Sequence, residues 1–329
     1  MEKGINHIYG PVLSRRLGIS LGVDLIPYKT CTYDCIYCQL GRTTCLTRKR
    51  ATYTPVDDVL SALEQNLQNI AGPDYITLAG SGEPTLHDGI SDIILGIRSM
   101  TSTPIAILTN GSLLHDRRVQ VDCSLADVVL PSVDAGDELT FSRVNRPMPE
   151  LTFQSLIDGL IDFRRVFSGQ IWLEVLLLHA ITDNDAAVRR IARRASEIRP
   201  DRIHLNTVVR PASDVSVRAV PLSALQRFTG FFTPEAEIAF NFDSSPDGHD
   251  LPIEAIFRTV QRRPSTLGEI AGLMNVSPVE VTKIIEELIR YGRLRVVRHG
   301  GETYFTVSPE ESLVEGRRGN TNVTGSQGS

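Results

Sequence analysis

Apolar positions along the chain alternate between two rhythms. Extended apolar runs occupy Gly18–Ile26, Tyr75–Ala79, Ile105–Thr109, Val128–Val133, Ile171–Leu178 and Arg202–Val208. Between them lie segments with helical spacing, clearest over Val56–Ile70, Phe153–Phe167 and Ala186–Ile198. In the first of these, Val56, Val59, Leu60, Leu63 and Leu67 keep a 3.6-residue period. Repeated strand-then-helix units predict parallel strands joined by right-handed crossovers. Six units fit an open, partial (β/α)6 TIM-type barrel better than a closed eight-stranded one. A Rossmann-like open sheet competes, because periodicity does not fix strand order. This first domain is expected to span residues 1–240.

The rhythm then changes. Asn241–Pro252 ("NFDSSPDGHDLP") is polar and rich in Pro and Gly, and it reads as a linker over 241–252. Residues 253–308 predict three helices and a hairpin, the outline of a winged helix. Ile253–Gln261 is the first helix, and Thr266 with Glu269 has capping-box spacing before the second. Ser277 as N-cap and Pro278 at the first position open the third, whose stripe is Val281, Ile284, Ile285 and Leu288. Gly300-Gly301 marks the hairpin turn. Residues 309–329 carry no apolar face and are expected to be disordered.

Composition narrows the setting. The chain has 329 residues, 41% hydrophobic and 22% charged, with a net charge of -5, so the whole molecule is no generic polyanion binder. Its longest apolar runs are too short for a bilayer. Met1–Gly10 lacks the apolar core of a signal peptide, which predicts a cytoplasmic protein. Five cysteines in such a chain read as a metal or catalytic site rather than as a disulfide framework.

Three of those cysteines fall in "KTCTYDCIYCQLG" (29–41), where Cys31, Cys35 and Cys38 form C-x3-C-x2-C. Structural zinc normally takes four ligands. Cys45 is a distant fourth candidate, beyond an atypical spacing. A [4Fe-4S] cluster on three thiolates would leave one iron open for another ligand.

The loop, with Tyr37 just before the last cysteine, resembles the signature of the radical S-adenosylmethionine (SAM) superfamily. The stretch "SRRLGISLGVDLIPYKTCTYDCIYCQLGRT" resembles the branch that includes the wybutosine-synthesis enzymes, which modify tRNA. "LAGSGEPTLH" (78–87), "LTNG" (108–111), "SVDA" (132–135) and "LNTVVRP" (205–211) continue the likeness in order.

The resemblance implies a [4Fe-4S] cluster on Cys31, Cys35 and Cys38, with SAM chelating the open iron. One-electron cleavage of SAM would then yield a 5′-deoxyadenosyl radical that abstracts a substrate hydrogen. It implies SAM contacts from Gly80, Gly82 and Glu83, from Asn110, from Ser132 and Asp134, from Asn206 and from the backbone of Tyr37. These positions follow or end successive strands, and parallel strand ends converge on one mouth. Glu174, on the fifth apolar run, is the candidate catalytic residue. A buried carboxylate needs a polar partner, which could equally be structural. Asp134 could instead cap a helix, and Glu83 could merely start a turn. His179 and His204 are as compatible with structural as with catalytic roles.

No cysteine precedes Cys31, so the second cluster expected of wybutosine-type enzymes is not predicted. The electron donor is expected to be external, of flavodoxin or ferredoxin type. The winged helix suggests presentation of an RNA or peptide substrate or docking of another protein, a small-molecule substrate is equally compatible with the residues, and no membrane partner is expected. Arg42, Arg48, Lys49 and Arg50, with Arg143 and Arg146 further on, could add a basic mouth or a solvated charge run. A different class of function also fits: an iron–sulfur redox regulator that binds DNA through the winged helix.

Overall fold

The computed structural model describes residues 7–14, 16–68, 72–239, 253–274 and 278–308. The linker at 241–252, the tail at 309–329 and Ser277 lie outside the described residues. In chain order the first part runs β1 (Ile8–Ser14), β2 (Gly18–Val23), β3 (Thr30–Cys31), β4 (Cys45–Leu46), α1 (Val56–Leu67), β5 (Tyr75–Leu78), α2 (Ile90–Met100), β6 (Ile105–Thr109) and α3 (Arg117–Cys123). It continues with β7 (Val128–Pro131), α4 (Glu138–Val144), α5 (Phe153–Val166), β8 (Gln170–Leu177), α6 (Asp185–Ile198), β9 (Arg202–Thr207), α7 (Leu222–Thr229) and β10 (Glu237–Ile238).

The main sheet has the order β1-β2-β5-β6-β7-β8-β9-β10. From β2 to β10 every pairing is parallel; β1 alone is antiparallel. Strands that neighbour in sequence also neighbour in space. That order has no switch point, which settles the Rossmann alternative against it. All six apolar runs are strands of this sheet. The fold is α/β with a mostly parallel sheet, a partial barrel whose edges are β1 and β10.

Alternation along each strand builds two layers. On β8, Ile171, Leu173, Val175 and Leu177 join the core beneath the helices. Their alternates Trp172, Glu174 and Leu176 lie on the other face of the sheet, inside the barrel. The helices answer with Val59 and Leu63, Ile93 and Ile97, Leu160 and Phe163, and Ile191 and Ile198. A fully buried side chain of this size contributes roughly 2–3 kcal/mol. Inside, Leu17, Ala106, Val128, Leu130 and Trp172 form a separate apolar floor.

Beyond the barrel come α8 (Ile253–Arg262), β11 (Ser265–Thr266), α9 (Leu267–Met274), α10 (Pro278–Arg290), β12 (Leu294–His299) and β13 (Glu302–Val307). The strands form an antiparallel sheet of order β11-β13-β12. The capping box is made: the Glu269 N–H donates to Thr266 Oγ1 at 3.2 Å, and the Thr266 N–H donates to Glu269 Oε2 at 2.9 Å. His299 pairs with Glu302, so Gly300-Gly301 is a two-residue turn with φ of 60° and 84°. Positive φ at both positions is what a type I′ turn requires, and it matches strand twist. Ile256, Phe257, Val260, Ile270, Val281, Ile285, Leu288 and Leu294 give this unit its own core.

Candidate functional site

The cysteine loop leaves the barrel after β2 and is closed by the short parallel pair of β3 and β4. Cys31, Cys35 and Cys38 are all half-buried, and each sulfur meets a different donor. Lys29 Nζ donates to Cys38 Sγ at 3.1 Å, Asn110 Nδ2 to Cys31 Sγ at 3.5 Å and Asn145 Nδ2 to Cys35 Sγ at 3.7 Å. Burial pushes the Cys31 thiol up to about 12. It pushes Cys35 well above the ordinary thiol range too, and charge on Cys31 and Cys38 adds to the rise. Bare thiols there hold their protons, and metal coordination is what makes such groups thiolates. Among the described residues, no group of three or more His, Cys, Asp or Glu side chains could hold a single metal ion. Three thiols in one loop, each with its own donor, suit a cluster with one thiolate per iron. The cationic and amide donors would supply the hydrogen bonds to sulfur that tune such clusters. The donor set fits [4Fe-4S]. Cys45 stands apart on β4 and is exposed.

The loop after β5 is fastened directly to this one. The Lys29 N–H donates to Ser81 O at 2.7 Å, and the Glu83 N–H to Thr30 O at 3.1 Å. Gly82 is required by that contact, since a Cβ there would lie 1.9 Å from Thr30 O. Gly80 has φ of +145°, and a Cβ on it would meet the Asp24 carboxylate.

Glu83 is 2% exposed and fully engaged. Its carboxylate accepts from Thr85 N at 3.1 Å, Thr85 Oγ1 at 2.6 Å, Thr109 Oγ1 at 2.6 Å and Asn110 N at 2.7 Å. Burial raises its pKa, and those four hydrogen bonds pull it back down. It does start a turn, the single 3-10 turn Pro84–Leu86. It also ties β6 to the loop. Asn110 reaches Thr32 Oγ1 as well as Cys31.

Asp134 is 2% exposed and caps no helix; Asp137 caps α4 instead. Its carboxylate accepts from Tyr37 Oη at 2.5 Å, Asn145 Nδ2 at 3.0 Å and Leu176 N at 2.9 Å. Tyr37 therefore commits its hydroxyl to Asp134, and Asn145 spans Asp134 and Cys35.

Glu174 has the partner its burial demands. It forms an ion pair with Arg16, whose side chain rises from the β1–β2 turn; the two are 14% and 18% exposed. Opposite Glu174 on β9 lies His204, edge-on to Trp172. Burial, Arg16 and Arg202 lower the His204 imidazole to about 4. His204 Nδ1, Asn206 Oδ1 and Arg16 Nε are buried without a hydrogen-bond partner. Ser132 bridges to Glu174 through the backbone.

So Cys31, Cys35, Cys38, Tyr37, Asn110 and Asp134 share one hydrogen-bonded rim, joined to Glu83, while Glu174 and Asn206 lie deeper. His179 does not join them; it is exposed and bonded to Asp183 at 2.7 Å. The basic residues divide. Arg42 pairs with Asp34, Arg50 with Asp122 and Arg146 with Asp214. Arg48 and Lys49 are exposed and line a cleft of about 490 Å³ with His115 and Arg118. Sequence reasoning missed Lys29, Asn145, Arg16 and Asp24. Asn145 follows β7 like the residues that were found, and Lys29 and Arg16 lie inside quoted motifs. Nothing in a single sequence ranks them above their neighbours.

The sequence model of the radical SAM superfamily matches residues 25–192, about half of the chain and the part that holds this rim. The chain belongs to the radical SAM superfamily. Superfamily members bind a [4Fe-4S] cluster and SAM, and they generally need an external electron donor. Among curated relatives, a protein named GTPase Obg from Brachyspira hyodysenteriae is 39% identical over 88% of this chain. This radical SAM chain spans only 43% of that relative's length. It has no G-x4-G-K-[ST] phosphate loop of its own. A UPF0026 protein from Methanocaldococcus jannaschii is 29% identical, covering 90% of this chain and 94% of the relative. Among solved structures, HydG, a maturase of the [FeFe]-hydrogenase, has a TM-score of 0.51 at 13% identity, over 95% of this chain and 71% of HydG. That likeness concerns the fold alone. Among the described residues, no helix is long and apolar enough to cross a membrane.

Proposed function

We propose that this chain is a radical SAM enzyme whose cluster is held by Cys31, Cys35 and Cys38 alone, with SAM on the open iron. The observation that carries it is the trio of thiols, each held by a separate donor and fastened by backbone hydrogen bonds to the Gly80–Glu83 loop. When bound, the cluster and SAM supply reductive cleavage to a 5′-deoxyadenosyl radical for hydrogen abstraction.

The chain's own residues have divided tasks in this reading. Lys29, Asn110 and Asn145 hydrogen-bond the sulfurs. Glu83 keeps the loop after β5 in register with the cysteine loop. Gly80, Gly82, Asn110 and Ser132 present backbone and side-chain groups at the mouth, and Tyr37 and Asp134 set its wall. Glu174, with Asn206 beneath the mouth, faces the substrate side.

Residues 7–239 form the radical SAM domain and 253–308 a winged helix that presents RNA or peptide, with a flavodoxin- or ferredoxin-type donor. The wybutosine-like motifs support the RNA option. Arg293 packs 3.7 Å over the Phe257 ring, and Arg295 and Arg298 are exposed on the hairpin, available to a phosphate-bearing or acidic substrate. Anaerobic reconstitution, then dithionite and SAM, is expected to yield methionine and 5′-deoxyadenosine. No cleavage, with duplex DNA binding that follows cluster oxidation, would replace the enzyme by the regulator. Retention of a specific RNA from host extract would select RNA over peptide.

A further inference from the structure

The open side of the barrel is crossed by the C-terminal unit. At one edge, the Arg262 guanidinium lies 4.4 Å over the Tyr9 ring of β1. It pairs with Asp24, just past β2, at 3.4 Å, with the two side chains 11% and 9% exposed. At the other edge, Arg210, past β9, donates from Nε to Pro264 O at 2.9 Å and pairs with Glu269. Tyr304 Oη donates to Val209 O at 2.6 Å. Arg262 and Pro264 are two residues apart. A tripeptide thus ties the loops that follow the first and last long parallel strands.

The tie continues inward. Asp24 accepts from the Ser81 N–H at 3.1 Å and from Ser81 Oγ at 2.6 Å. Gly80 has no room for a Cβ against the same carboxylate. Both Asp24 oxygens thus hold the loop after β5, and Oδ2 also faces Arg262 Nε. An unpaired carboxylate at this burial is costly, so Arg262 sets where Asp24 rests.

We propose that the C-terminal unit staples the open barrel and that Arg262 is a positioning residue for the Gly80–Glu83 loop, acting through Asp24 and Ser81. This rests on reading that loop as the SAM site.

The test uses the full-length protein with Arg262→Gln, Arg262→Lys and Asp24→Asn. In the metal-free protein, amide hydrogen exchange over residues 78–84 is expected to quicken about fivefold to tenfold in Arg262→Gln and in Asp24→Asn. Arg262→Lys should stay near the parent. The double variant should be no worse than Asp24→Asn alone, because Arg262 acts on the loop through Asp24. After reconstitution without reductant, SAM is expected to bind about fivefold more weakly to Arg262→Gln, with recovery in Arg262→Lys. Unchanged exchange over 78–84 overturns the staple, whatever SAM does. Faster exchange with unchanged SAM affinity overturns the positioning role. If Glu83→Gln also leaves SAM affinity unchanged, the fault lies in assigning the loop to SAM, not in the contact between units. Should Arg262→Gln fail to fold, Asp24→Asn keeps shape and volume and reads the same two quantities.

Discussion

Two carboxylates, one buried and one half-buried, serve opposite parts of this site. Glu83, on the rim, accepts four hydrogen bonds from two threonines and two backbone amides. Glu174, inside the barrel, has Arg16, and beside it His204 Nδ1 and Asn206 Oδ1 are buried without partners. A saturated carboxylate is a fixture of the frame, because a ligand could claim it only by breaking the loop. Unmet polar capacity costs stability and persists where a ligand is to be received. The Glu83 part of the rim is thus complete by itself, whereas the interior, like Asn145 Oδ1 on the rim, keeps polar atoms without partners.

The largest effect separates frame from chemistry. Cys35→Ala is expected to abolish cluster absorbance and cut SAM cleavage by about a thousandfold or more, with thermal unfolding of the metal-free protein nearly unchanged. Residual cleavage near the parent rate would show that Cys35 is no ligand. Next, Glu83→Gln turns one acceptor oxygen into a donor among donors. Urea unfolding of the metal-free protein should show a loss of about 3 kcal/mol. Glu174→Gln should invert that balance, with roughly 1–2 kcal/mol of stability lost and turnover down about tenfold. A large stability loss with intact turnover would make Glu174 another fixture, and the comparison would collapse.

The smallest effect concerns acid. His204 titrates near 4 in the folded chain against about 6.5 when unfolded. The unfolded state then takes up the proton first, so stability is whole above about 6.5 and falls as pH drops towards 4. The expected loss by pH 5 is on the order of 1 kcal/mol, since the ring is not wholly shielded. His204→Phe should flatten that part of the pH profile in urea titrations, and an unaltered slope would assign the acid limb to other groups.

The sheet was legible because a parallel barrel strand carries its apolar run whatever its partner, and all six runs are strands. The edge strands β1 and β10 and the pair β3–β4 went unread. They are held by tertiary pairing, and β3 and β4 are only two residues long. Helices α2, α3, α4 and α7 were also left unassigned, and three of these have eight residues or fewer. Around the site, the cysteines could be read from spacing, and the strand-end residues were implied by the family resemblance. Their supports could not. Lys29, Asn145 and Asp24 matter through contacts 9, 110 and 57 residues away, and no local pattern records such distances.

The backbone stitch between Thr30, Lys29, Ser81 and Glu83 uses no sulfur and no iron. Cluster loading is then the filling of a seat already cut, not a folding step. The metal-free chain is then expected to keep the two loops joined, which slow amide exchange at Lys29 and Glu83 without iron would check. The same stitch makes the two loops share one ruler. With SAM on the second loop as proposed, a residue inserted between Pro27 and Cys31 would shift both cofactors' seats at once, whereas one inserted near Gly41 would spare the second.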